Sequence, residues 1–152
     1  MVKIREPEEK DLMHFTRYSI DFLHVTSSDR LTNEDVRGRK YWAADQFLAK
    51  NPKQKLLVAD MNGRMIGYVL GIIESHGEED VYGYIREVFV DEFYRREGIG
   101  TDLCKDLIKW MYDQEAKAIQ VSLRPHQNGV SEFIRKIGFS SVSTLYEYQS
   151  EG

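Results

Sequence analysis

The sequence feature that most constrains the fold is a glycine-containing loop that runs directly into an amphipathic helix. The loop occupies residues 94–101, with the sequence YRREGIGT. Before it, residues 84–90 are mostly aromatic and β-branched, which is typical of a strand, and the acidic pair 91–92 ends that strand. After it, apolar residues recur at helical spacing over 102–112. The order strand, glycine turn, helix therefore organises the centre of the chain.

This arrangement predicts a binding site for an anion. Glycine lets a backbone approach a ligand closely and adopt positive φ angles. The first N–H groups of a helix lack intrahelical partners and lie at the positive end of its dipole, which favours phosphate. Arg95 and Arg96 add two cationic side chains that can donate bidentate hydrogen bonds. The alternative is an ordinary strand, turn and helix whose arginines are solvated.

Two common phosphate-binding motifs do not fit the loop. A dinucleotide fingerprint requires a third glycine where Leu103 stands, and no Gly-Lys-Ser/Thr follows four spacers as in a Walker motif. Arg95, Gly98 and Gly100 instead match Arg/Gln-x-x-Gly-x-Gly/Ala, so the segment resembles the pyrophosphate loop of the GNAT-type N-acetyltransferases. A different phosphate-binding α/β protein, one that binds a nucleotide through Arg95 and Arg96, remains the alternative.

The resemblance extends over nearly the whole chain. The sequence predicts a strand at 2–5, two helices, a hairpin of strands 55–61 and 64–74, and a strand at 81–90. Asn62-Gly63 is the strongest short hairpin signal, because both central residues of that turn need positive φ. Beyond the loop and its helix come a strand at 118–123, a short helix ending at Gly138, and an edge strand at 139–148.

This order is similar to the GNAT order, and the closing 134–139 is similar to that family's Tyr-Glu-Lys-x-Gly-Phe ending. The resemblance implies one α/β (α+β) domain over 1–152, with a mixed, mostly antiparallel sheet and helices on both faces. It also implies acetyl-coenzyme A as cosubstrate. The backbone of 88–90 would pair with pantetheine, and an N–H of Val88 or Phe89 would polarise the thioester. The coenzyme contacts it implies are Val88, Phe89, Val90, Arg95, Arg96, Glu97, Gly98, Ile99, Gly100, Thr101, Asn128 and Phe133.

Glu87 is the candidate general base, since a protonated amine cannot attack a thioester. Strand alternation predicts that it shares a face with Ile85 and Phe89, where partial burial would make the carboxylate a better proton acceptor. The alternative is a structural salt bridge with Arg86 or with an arginine of the loop.

One departure from the family pattern concerns the general acid. The tyrosine thought to protonate the departing thiolate in that family falls here on Ile134. Ser131, His126 and Tyr146 are candidate substitutes. A coenzyme A-binding module without turnover, acting as a sensor or interaction partner, is therefore the alternative function.

The acceptor is predicted to be a small-molecule or peptide-borne primary amine. The acidic run 78–80 lies on the loop that leads to the coenzyme strand, Glu74 precedes that loop, and clustered carboxylates favour cationic amines. Solvated loop charge is the alternative. Amine, alcohol and aminoglycoside acceptors are not separated by these residues.

Charge and composition exclude several other classes of protein. A net charge of −4 and a pI near 5.6 argue against a general nucleic-acid binder. The single cysteine, Cys104, lies on the apolar helix face and is predicted to be a core residue. The four histidines are scattered, so we expect no metal site. The absence of a signal peptide and of a membrane-length apolar run predicts a cytoplasmic protein without membrane contact, and a homodimer is compatible with the sequence.

Overall fold

The computed structural model describes residues 1–124 and 128–150, apart from the side chain of Asn128. The elements are β1 (Val2–Arg5), α1 (Leu12–Thr26), α2 (Asn33–Leu48), β2 (Gln54–Met61), β3 (Arg64–His76), β4 (Asp80–Val90), α3 (Ile99–Asp113), β5 (Ala118–Val121) and α4 (Asn128–Ile137). Short 3-10 turns occupy Glu9–Asp11 and Glu92–Tyr94. Within the described residues no helix is both long enough and apolar enough to cross a membrane.

The five strands form one sheet in the order β1-β2-β3-β4-β5. The pairs from β1 to β4 are antiparallel, and β5 is parallel to β4. The predicted hairpin turn is confirmed, because Asn62 and Gly63 have φ angles of 54° and 91°. The mixed, mostly antiparallel sheet with helices on both faces confirms the predicted fold class.

The two faces of the sheet carry separate hydrophobic cores. On one face α3 packs against the strands, and Leu103, Cys104, Leu107 and Met111 are fully buried. We call this the α3 face. On the other face α1 and α2 cover an aromatic core, which contains Phe15, Tyr18, Ala43, Leu56, Val58, Met65, Tyr68, Leu70 and Phe89. We call this the α1/α2 face. Burial of Cys104 raises the pKa of its thiol to about 12, as fits the predicted core position.

A β-bulge in β4 corrects one prediction made from strand alternation. Leu70 of β3 lies opposite Glu87, whereas the next residue, Gly71, lies opposite Ile85. Arg86 is therefore an extra residue, and it reverses the alternation. As a result Ile85 belongs to the α3 face and Phe89 to the α1/α2 face, so the prediction that they share a face was wrong.

The predicted edge strand at 139–148 is absent. α4 ends at Ile137, and the N–H groups of Gly138 and Phe139 both donate to the carbonyl of Ile134. Gly138 has a φ of 130°, which directs the chain away from the helix. Among the described residues, 140–150 pairs with no strand of its own chain. An alternating pattern specifies an extended conformation but does not name the partner strand.

Candidate functional site

The N-terminus of α3 is an uncapped helix start next to open space. Gly98 is the N-cap residue with a φ of 81°, and no side chain caps the helix there. The N–H groups of Ile99, Gly100 and Thr101 have no acceptor in the preceding turn, as at any helix start. A Cβ atom placed on Gly98 would meet no described atom within 4 Å. The N-cap position is therefore open towards the described surroundings, and a helix N-terminus beside open space is suitable for an anion.

Gly100 has a different role from Gly98. A Cβ atom there would lie 3.1 Å from Cζ of Phe133, on α4. The missing side chain thus lets α4 pack against the start of α3, and it brings Phe133 beside the loop. Asn128 begins α4, and its side chain lies outside the described residues.

Of the two loop arginines, Arg95 connects the loop to β4 through its side chain. Its Nε donates to the carbonyl oxygen of Val90 at 2.8 Å, and its guanidinium lies 5.1 Å from the centre of the Phe89 ring. Arg96 is exposed, with a φ of 69°, and Glu97 is exposed beside it. The loop geometry therefore relies on Arg95, whereas Arg96 supplies charge to the surface.

A gap opens between β4 and β5 next to this loop. The two strands pair from Tyr82 with Ala118 to Ile85 with Val121, while β4 continues to Val90. The N–H of Asp91 donates to Ile66 of β3, so by alternation the backbone groups of Phe89 face β3 and those of Val88 face the gap. The open stretch of β4 can accept an extended ligand as an added strand.

Glu87 is buried under α1 and α2 and is held by two donors. Only 8% of the residue is exposed. Its Oε1 atom accepts from the hydroxyl of Tyr68 at 2.7 Å and from Nη2 of Arg39 at 2.5 Å. Burial, followed by the charge of Glu87, raises the pKa of Tyr68 well above its ordinary value. The structural partner of Glu87 is thus Arg39, whereas Arg86 pairs with Glu74 at 3.5 Å.

Arg39 is fixed from several sides on α2. Its Nε donates to the carbonyl of Ser19 at 2.9 Å, and its guanidinium stacks 3.7 Å from the centre of the Trp42 ring. It also borders a cleft between α1 and α2 that is lined by Ser27, Asp29, Arg30, Asp35 and Trp42, among others. Arg39 and Tyr68 could not be predicted as partners of Glu87, because 48 and 19 positions separate them from it in the sequence. Only the fold brings the three together.

A second polar contact joins α1 to the start of the loop. The Tyr18 hydroxyl donates to Oδ2 of Asp91 at 2.9 Å, while Oδ1 of Asp91 accepts from the N–H of Phe93 at 3.0 Å. Burial, together with the hydrogen bond to Asp91, raises the pKa of Tyr18. These contacts connect the α1/α2 face to the segment that positions α3.

The candidate general acids that the structure describes differ in how far they are buried. Ile134 is buried, with 4% exposed, and Ser131 is half-buried on the same helix. Tyr146 is exposed, and His126 lies outside the described residues.

The carboxylates predicted to attract the acceptor lie at the turn between β3 and β4. Glu78 and Glu79 are exposed there, and Asp80 pairs with Lys117 at 3.5 Å. Asp80 is about 23 Å from Glu87 along β4, at the usual rise per residue.

A family model described as "Acetyltransferase (GNAT) family" matches residues 20–139. This match covers most of the chain, and the fold and loop described above agree with it. The chain therefore belongs to the acetyltransferase (GNAT) family.

Curated relatives include N-alpha-acetyltransferases. The chain is 24% identical over 147 residues to "N-alpha-acetyltransferase 30" of Homo sapiens, which spans 97% of this chain but 40% of that protein. It is 30% identical over 107 residues to "N-alpha-acetyltransferase" of Sulfolobus acidocaldarius, which spans 65% of this chain and 64% of that protein. The chain thus spans about two-fifths to two-thirds of the length of these two relatives.

Solved structures show the same fold. A "putative acetyl transferase from Pyrococcus furiosus" matches with a TM-score of 0.79 at 17% identity, covering 99% of this chain and all of that one. The aminoglycoside N-acetyltransferase AAC(6')-Iy in complex with CoA matches with a TM-score of 0.77 at 13% identity, covering 100% and 96% of the two chains. At these identities the likeness concerns the fold alone.

Proposed function

We propose that the chain is an N-acetyltransferase that moves the acetyl group of acetyl-coenzyme A directly to a primary amine. The observation that carries this proposal is the uncapped start of α3 at Gly98, directly beside the gap between β4 and β5. The pyrophosphate of the coenzyme would accept hydrogen bonds from the first N–H groups of α3. Pantetheine would pair with the open stretch of β4, which ends at the loop.

The residues of β4 supply the groups that direct acyl transfer would need. The N–H of Val88 faces the gap, where it would donate to the thioester carbonyl and to the oxyanion formed from it. The amine nitrogen attacks the carbonyl carbon, a C–N bond forms, and the C–S bond breaks as the thiolate leaves. The amine loses one proton, and the thiolate takes up one proton from water or from a nearby donor.

Glu87 is proposed to accept the proton of the amine, directly or through one water molecule. Its Oε1 atom is held by Arg39 and Tyr68, so the side chain is fixed rather than mobile. The test is Glu87→Gln, which keeps the shape but cannot accept a proton, with Glu9→Gln, at an exposed residue before α1, as the control. We expect kcat to fall by about 10²–10⁴-fold, since a positioned base contributes that much. An unchanged pH–rate profile would remove Glu87 from the chemistry.

The acceptor we favour within the amine class is the α-amino group of a peptide or protein. The curated relatives named N-alpha-acetyltransferases support this choice. A panel of peptides with free and blocked N-termini, a polyamine and an aminoglycoside would test it through release of free thiol. Turnover of the polyamine alone would contradict the peptide assignment while leaving acetyl transfer intact.

Binding of coenzyme A without turnover is the second candidate function. The buried Ile134 favours it, because no phenol stands at that position to protonate a leaving thiolate. Ile134→Tyr distinguishes the two, since an added donor should raise kcat if water serves as the acid in the native protein. Thiol release by the native chain with any amine of the panel would exclude the non-catalytic function.

Calorimetry with acetyl-coenzyme A, ATP and NAD tests the coenzyme site itself. We expect acetyl-coenzyme A to bind, and Gly98→Val to weaken it by at least about tenfold, or about 1.4 kcal/mol. Gly77→Val is the matched control, because Gly77 also has positive φ (79°) and no described atom within 4 Å of an added Cβ. Both variants carry the same backbone strain, but only Gly98 lies at α3. Equal affinities in the two variants would refute the site.

A further inference from the structure

A second open cavity lies between α1 and the turn that follows β4. One wall is a stripe of α1 residues at helical spacing, which includes Arg17, Asp21 and His24. The start of β3 and the segment from Phe89 to Arg95 complete the lining. We call this space the α1 cavity.

The α1 cavity is separate from the places assigned to acetyl transfer. Arg64 of β3 lines it, so it lies on the β3 side of β4, whereas the gap lies on the β5 side. The rings of Tyr18 and Phe89, both in its lining, are 5.5 Å apart, and the ring of Tyr68 follows 6.4 Å from that of Phe89. Tyr68 in turn donates to Glu87. A layer of aromatic rings therefore stands between the cavity and that carboxylate.

The lining contains both signs of charge. It has three arginines and three carboxylates, which are Arg17, Arg64, Arg95, Asp21, Asp91 and Glu92. Arg95 and Asp91 are occupied by the hydrogen bonds that hold the loop and α1. Within the part of the chain that the structure describes, the other four form no salt bridge. Two cations and two anions of the cavity are thus available to a ligand.

The two available cations lie together. Burial, followed by the charges of Arg17 and Arg64, lowers the pKa of His14, so both guanidinium groups lie close to this one imidazole. Asp21 lies one helical turn beyond Arg17, about 6 Å further along α1. Glu92 lies on the turn after β4. The cavity therefore has a cationic end next to an acidic part.

We propose that the α1 cavity binds a zwitterionic ligand, an α-amino acid with an apolar side chain. Its carboxylate would accept hydrogen bonds from Arg17 and Arg64, because guanidinium groups bind carboxylates in bidentate geometry. Its ammonium group would donate to Asp21 and Glu92. Its side chain would cover Phe93, which lines the cavity and is 83% exposed. A ligand with one charge would leave the opposite pair of residues without a partner.

Calorimetric titration of the full chain with L-phenylalanine, without any coenzyme, tests the proposal. We expect saturable binding. Phenethylamine lacks the carboxylate and hydrocinnamate lacks the ammonium group, so each should bind at least about tenfold more weakly. No saturable binding of L-phenylalanine up to its solubility limit, or equal binding of either analogue, would overturn the proposal. Since no coenzyme is present, this result is independent of acetyl transfer.

Two substitutions at exposed residues locate the ligand. Arg64→Gln and Glu92→Gln each remove one charge from the α1 cavity, and each should raise the dissociation constant for L-phenylalanine at least about tenfold. Arg37→Gln on α2 and Glu132→Gln on α4 are the matched controls, because both residues are exposed and lie outside the cavity lining. Native affinity in the two cavity variants, or equal losses in the controls, would place the ligand elsewhere and overturn the proposal.

Discussion

The two faces of the sheet bury their side chains by different chemistry. On the α3 face the buried cluster, as far as the structure describes it, consists of apolar side chains, with Cys104 and Met111 contributing sulfur atoms. The α1/α2 face combines an aromatic core with buried polar groups, among them Ser19 and Glu87. Buried polar groups lower stability unless each finds a partner. Here the hydroxyl of Ser19 donates to Thr16 O, and Glu87 is held by Arg39 and Tyr68.

This difference indicates that the two faces have different roles. The α3 face stabilises the sheet by apolar packing and fixes the position of α3, whose N-cap residue is Gly98. The α1/α2 face keeps a carboxylate at a fixed place on β4, beside the gap. Substitutions on the first face should change stability through packing alone. Substitutions on the second face should change stability and catalysis together.

The largest expected effect is that of Arg39→Ala. It removes the partner of a buried carboxylate, and breaking a buried ion pair in this way costs about 3–5 kcal/mol of stability. Urea unfolding would measure the loss, and kcat should fall in parallel because Glu87 is released from its position. Arg37→Ala is the matched control, since Arg37 is an exposed arginine on the same helix.

The double variant Arg39→Ala with Glu87→Gln tests whether the two side chains act as a pair. Because it leaves no unpaired buried charge, it should be more stable than Arg39→Ala alone, although it has lost one more ionised group. Additive losses in the double variant would mean that the two side chains do not act as a pair.

Leu107→Ala probes the other face. Leu107 is fully buried against the sheet, and a large-to-small change there should cost about 2–5 kcal/mol through lost contacts and a residual cavity. The dissociation constant for acetyl-coenzyme A, measured on the folded protein, should stay nearly the same. Leu48→Ala is the control, as Leu48 is 68% exposed. A selective loss of kcat with unchanged stability would contradict the division between the faces.

Sequence patterns predicted the parts of this molecule that are specified locally. Asn62-Gly63 required one turn, and the glycines around Ile99 indicated a helix start that a ligand can approach. In each case the conformation depends on a few adjacent residues.

What the sequence did not predict depends on contacts between distant elements. Arg39 is a polar residue on an exposed-looking helix, and only the crossing of α2 over β4 makes it the partner of Glu87. The extra residue at Arg86 shifts the alternation of β4, and no glycine or proline at that position signals it. Residues 139–148 have a strand pattern, but the pattern alone does not specify which strand they would pair with.

Tyr18→Phe should lower the stability of the protein less than Arg39→Ala or Leu107→Ala. It removes the hydrogen bond to Asp91 but keeps the ring in the aromatic core, so about 1 kcal/mol of stability should be lost. Because Asp91 leads into the loop that we propose to bind the coenzyme, the KM for acetyl-coenzyme A should rise slightly. Tyr41→Phe, at a site that is 70% exposed, is the control and should change neither quantity.

The smallest expected effect is the reaction of Cys104 with thiol reagents in the native protein. Burial raises the pKa of this thiol to about 12, so at pH 8 the reactive thiolate is a fraction on the order of 10⁻⁴. Labelling with a disulfide reagent should therefore be very slow in buffer and complete in urea. The same property keeps the background low when coenzyme A release is followed with such a reagent. Rapid labelling of the folded chain would show that α3 opens readily, and the α3 face would then not be the rigid side of the comparison.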